Sequence, residues 1–87
     1  MCTMISHTTL IAGCGKGAAG WFAVNQANVS YDHPFHAPYE HALNIDFVDA
    51  AQGPGARVAV ELSAEAARAL LDTILAVLAE AEVGGHL

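Results

Sequence analysis

The hydrophobic pattern of this chain changes period once, and that change limits the folds open to it. Up to Leu62 apolar side chains recur at every second position in short runs, as in half-buried strands. From Ser63 onward they recur at three- and four-residue spacing, as on an amphipathic helix. Strands are expected over 3–12, 21–31, 41–48 and 57–62, and a helix from Ser63 to about Glu82. Ser63 has the chemistry of an N-cap, Glu65 falls in the first turn, and Gly84-Gly85 supplies the stop. The implied architecture is α+β, a four-stranded antiparallel sheet followed by one C-terminal amphipathic helix (ββββα).

The connections follow from the glycines and prolines. Four glycines between Gly13 and Gly20 suggest a wide loop, and Gly53-Pro54-Gly55 a turn. The run 21–31 is long for one strand, so a bulge or bend is expected within it. Between residues 32 and 40, Pro34 and Pro38 fix their own φ and push His33 and Ala37 out of the helical region, which predicts irregular chain. On the helix, Glu65, Arg68 and Asp72 have the spacing of charge pairs. No repeat or composition break divides the 87 residues, and a single domain over 1–87 is expected.

Composition removes several classes of function. The chain is 54% hydrophobic and 14% charged, which excludes a disordered tail. Lys16, Arg57 and Arg68 are its only basic side chains against nine acidic ones, a net charge of -6. So few cations leave little to neutralise phosphates or anionic lipids, so neither nucleic acid nor a membrane surface is an expected partner. No stretch approaches the roughly 18 apolar residues of a membrane span, and the N-terminus lacks the pattern of a secretory signal. A cytoplasmic location is expected, with Cys2 and Cys14 reduced.

One helix covers only part of a four-stranded sheet. Met4, Leu10, Phe22, Val24, Val48 and Ala59 fall on positions alternate to the expected core, which points to a homodimer packed through its sheets. A register shift from a bulge would instead turn some of these residues inward.

Chemistry concentrates between Tyr31 and His41. His33, His36 and His41 fall within nine residues, in a proline-braced segment that also carries Glu40. Imidazole is a common ligand of transition metals, and a loop held by prolines loses little entropy on closing around an ion. The leading expectation is a divalent transition-metal site formed by His33, His36 and His41, with zinc first and iron or copper as alternatives. Glu40 or Asp46 would serve as a carboxylate ligand, an orienting group or the catalytic acid/base of a small lyase, isomerase or hydrolase. In the plainer reading the histidines stack on Phe35 and Tyr39 and shape a polar loop. Two other functions stay open: a metal-free enzyme or small-molecule binder using His41 or His7 as acid/base, and an accessory subunit that docks another protein.

Other features carry less. Cys2 would expose a free α-amine if Met1 were removed, and Cys14 lies near Lys16 without a further activating group. Gly15-Lys16-Gly17-Ala18-Ala19-Gly20 matches a dinucleotide-binding spacing, yet it leads into a strand pattern rather than a helix.

The segments Cys2-Thr3, 13–22, Tyr31-Asp32-His33-Pro34-x-His36-Ala37, 40–47 and 57–62 together resemble a family of short, functionally uncharacterised proteins of actinobacteria. The resemblance spans nearly the whole chain and implies that His33, His36 and His41 are a family feature. It implies no activity, and His7 and Cys14 depart from its pattern.

Overall fold

The computed structural model describes residues 5–53 and 55–87. Strands β1 (Ile5–Gly17), β2 (Gly20–Asp32), β3 (Ala42–Val48) and β4 (Arg57–Leu62) form an antiparallel sheet in the order β1-β2-β3-β4, and helix α1 (Ala64–Val83) follows. The expected ββββα order is the observed one. Met4, with Thr3 and Cys2, lies outside the described residues.

The glycine-rich stretch is not the wide loop its composition suggested. It is paired strand from Gly13↔Val24 to Gly17↔Gly20, leaving only Ala18 and Ala19 as the turn. Neither alanine has a positive φ; Gly20 takes it (φ 115°) immediately after the turn, an arrangement open to glycine and costly for other residues. Gly20→Val is expected to destabilise the chain by roughly 1–2 kcal/mol, read as a lower denaturation midpoint, with Ala18→Val as a milder comparison.

A bulge sits in β1, where Ile11 and Ala12 fall between the pairs Leu10↔Gln26 and Gly13↔Val24. It coincides with a change of phase in β2. Ala27 and Val29 are the inward residues on one side of it, and Phe22 and Val24 on the other, with Trp21 and Ala23 exposed. Phe22 and Val24 therefore turn inward, away from the apolar outer face expected from strict alternation, while Leu10 stays 81% exposed. Gly15 permits this packing, because a Cβ there would stand 3.1 Å from Val24 Cγ2.

The sheet has two unlike faces. Val29, Leu43, Ile45 and Leu62 face the helix. Ser30, Asn44 and Glu61 form one row across the opposite face, and Asn28, Asp46 and Ala59 the next. Ser63 caps α1 by accepting the Ala66 N–H at 3.1 Å. At the far end His86 N–H donates to the Ala81 carbonyl and Gly85 takes φ 75°, closing the helix. The Glu65, Arg68 and Asp72 pairs expected on α1 are not formed; the ion pair among the described residues is Arg57–Asp46, at 2.6 Å.

The buried hydrophobic core is small: Val24, Ala27, Ala42 and Ala56 among the described residues. No residue of α1 is buried.

Candidate functional site

The proline-braced segment is irregular, as expected, and it needs an acceptor from elsewhere in the fold. Residues 35–37 lie between Pro34 and Pro38 in neither helix nor strand, so their N–H groups have no regular backbone partners. Glu61, on the outer face of β4, supplies the acceptor. One carboxylate oxygen accepts the Ala37 N–H at 2.8 Å and the His36 N–H at 3.0 Å, and the other accepts the Phe35 N–H. These bonds, the Ala37 and Phe35 N–H first, hold the Glu61 carboxyl below the usual glutamate range against the opposing effect of desolvation, with the His36 N–H and its nearby imidazole adding to the shift.

Two further contacts close the loop. Asp32 accepts the His33 N–H at 2.8 Å, and His33 Nδ1 lies 2.9 Å from the Glu40 carbonyl oxygen. A carbonyl only accepts, so Nδ1 carries the proton and Nε2 the ring lone pair in the neutral form. The His33 and His41 rings stack at 4.8 Å, and His41 stacks on Tyr31 at 5.9 Å.

Between this loop and the polar face of the sheet lies an open groove of about 580 Å³. Phe35, His36 and Ala37 form one wall, Ser30, Asn44 and Asp46 line the floor, and Arg57, Ala59 and Glu61 lie along β4. The charges here are already matched, Arg57 with Asp46 and Glu61 with the loop N–H groups. Asn44 Oδ1 differs: it is buried and has no protein hydrogen-bond partner. Phe35 is 97% exposed at the rim.

The residues singled out in the sequence divide accordingly. His33 and His41 come together, while His36 lines the groove with Asn44 and Glu61. Among the described residues no group of three or more His, Cys, Asp or Glu side chains is placed to hold a metal ion. Glu40 is exposed and meets His33 through its backbone carbonyl; Asp46 is held by Arg57. Histidine stacking does occur: His33 stacks on His41, and His41 on Tyr31 near the end of β2. His7 is exposed on β1, opposite Val29, and Cys14 is free and exposed. The dinucleotide-like glycines lie in the β1–β2 hairpin, with no helix N-terminus to face a pyrophosphate.

Glu61 and Asn44 were missed by sequence reasoning. Each sits at an outward position of a strand, where a polar residue reads as merely solvated. The available signal was indirect: a run of three N–H groups between two prolines demands an acceptor, and β4 carries a single carboxylate.

The fold and groove together define a small α+β protein with a meander sheet, one face roofed by a helix and the other carrying a polar cleft under a tethered loop. The chain belongs to a family of unknown function, DUF6295, whose profile matches residues 1–86. No curated protein and no solved structure matches it. No helix among the described residues is long and apolar enough to cross a membrane.

Proposed function

We propose that this protein binds a small molecule in the groove between residues 35–37 and the polar face of β3 and β4. The observation that carries the reading is Asn44 Oδ1, a buried acceptor without a protein partner, on a residue that lines a cleft whose charged groups are satisfied. Leaving such an atom unmatched costs about 1–3 kcal/mol, so a ligand that shifts the side chains covering it and places an N–H or O–H against it gains both affinity and orientation. With no uncompensated cation in the groove and a net charge of -6, the favoured ligand is neutral or cationic. Phe35 and Ala59 offer an apolar surface for the rest of it.

The test is a fragment screen by thermal shift, followed by affinities for Asn44→Leu. Donor-bearing fragments are expected to stabilise the native chain, and the variant, similar in volume, to bind them roughly tenfold or more weakly. Equal affinity in both proteins would sink the reading.

A transition-metal site is the second reading, favoured by the adjacent His33 and His41 rings. It requires His36 to leave the groove wall and join them, with zinc first and iron or copper as alternatives. Added zinc should then raise the melting temperature in the native protein, and His33→Ala and His36→Ala should both lose that gain.

A further inference from the structure

We infer that α1 is a dimerisation element, and that it pairs antiparallel with α1 of a second copy of this chain, centred on Leu75. The helix carries two apolar stripes. Ala67, Leu70, Ile74, Val77 and Ala81 make one, and its first half, with Arg68 and Leu71 at its edge, lines an apolar channel of about 360 Å³ against Val29, Leu43, Ile45 and Leu62. Leu71, Leu75 and Leu78 make the other, continued at its ends by Arg68 and Glu82. Their spacing of three, four, three and four residues is that of a coiled-coil seam. Its three leucines are 55%, 56% and 49% exposed.

The ends of this seam identify the occupant. Arg68 and Glu82 are equidistant from Leu75, so an antiparallel pairing about Leu75 sets Arg68 against Glu82 of the partner subunit, twice by symmetry. Arg68 is the only cation on the helix, and among the described residues it forms no ion pair within its own chain. A seam that is self-complementary in both leucines and charge fits a second copy of itself.

The surface area agrees. A compact monomer of 9.0 kDa exposes about 4,900 Å², whereas this chain exposes 6476 Å². The surplus exceeds the ~800 Å² per partner of an ordinary stable interface. The radius of gyration, 14.7 Å, is likewise larger than the ~12 Å of a compact chain of this length. The interface so placed lies on the helix side of the sheet and leaves the groove on the opposite face open, so it differs from the sheet-to-sheet packing expected from the alternation.

Sedimentation of the full chain at micromolar concentration tests the inference. The expected mass is twice 9.0 kDa, falling to the single-chain value in Leu75→Glu with the helical circular dichroism retained. If Leu75→Glu does not fold, the charge swap decides. Arg68→Glu should weaken association, and Arg68→Glu combined with Glu82→Arg should restore it. A native chain of single mass, a larger assembly, or a dimer whose association ignores the charge swap would each overturn the inference.

Discussion

Glu61→Leu releases the loop that walls the groove. The leucine matches the volume of the side chain and accepts no hydrogen bond, so the N–H groups of Phe35, His36 and Ala37 lose their common acceptor. Hydrogen bonds to a charged acceptor are among the stronger ones in proteins, and their loss should speed amide exchange at these residues roughly tenfold or more. Amides paired between β2 and β3 should keep their native rates. The same tether responds to pH. The Glu61 carboxyl is held below its ordinary range in the folded chain, so its stabilising contribution is fully present above the ordinary glutamate value and disappears as pH falls through the lowered one. Acid should loosen the loop in the native protein, whereas Glu61→Gln should remove the dependence. Unchanged exchange at Phe35, His36 and Ala37 in Glu61→Leu would show that the prolines and the His33 contacts hold the loop without Glu61.

A second large effect is expected at Ala42. This residue, at the start of β3 opposite Asp32, is 0% exposed and anchors the end of the loop to the sheet. Ala42→Leu adds volume where none is available, at a cost of about 1–3 kcal/mol. A chain of this size has only about 4–13 kcal/mol of stability in total, so the change should lower the melting temperature by roughly 4–8 °C per kcal/mol lost. Ala69→Leu, on the exposed outer side of α1, is the comparison and should change stability by less than about 0.5 kcal/mol. Equal melting temperatures would mean that the start of β3 yields more easily than its burial implies.

The architecture was legible because it is written in local periodicity. The switch at Ser63 marks both the end of β4 and the cap of α1, and the cap uses the Ser63 hydroxyl as its position suggested. The glycine-rich stretch misled for a physical reason: glycine permits strand as well as turn, and pairing with β2 decided between them. The length of the run 21–31 suggests a bulge within it, but the bulge lies in β1, opposite that run, and its position decides whether Phe22 and Val24 face inward or out. At the site, Pro34 and Pro38 announced a stiff loop, yet stiffness does not say which side chains converge. Loop geometry here is set by Glu61, more than twenty residues away in sequence and contributed by another strand. His36 follows its own N–H onto the groove wall, while His33 and His41 meet beside Tyr31. Spacing along the chain carried no information on that division.

The central claim, that the polar cleft and not the helix-side channel receives a small molecule, is tested most directly by mapping backbone amide shifts of the labelled chain during titration with donor-bearing fragments. The account predicts saturable shifts clustered on Ser30, His36, Asn44 and Glu61, absent in Asn44→Leu. Shifts confined to Val29, Leu43, Leu70 and Ile74, or none at any fragment concentration, would contradict it.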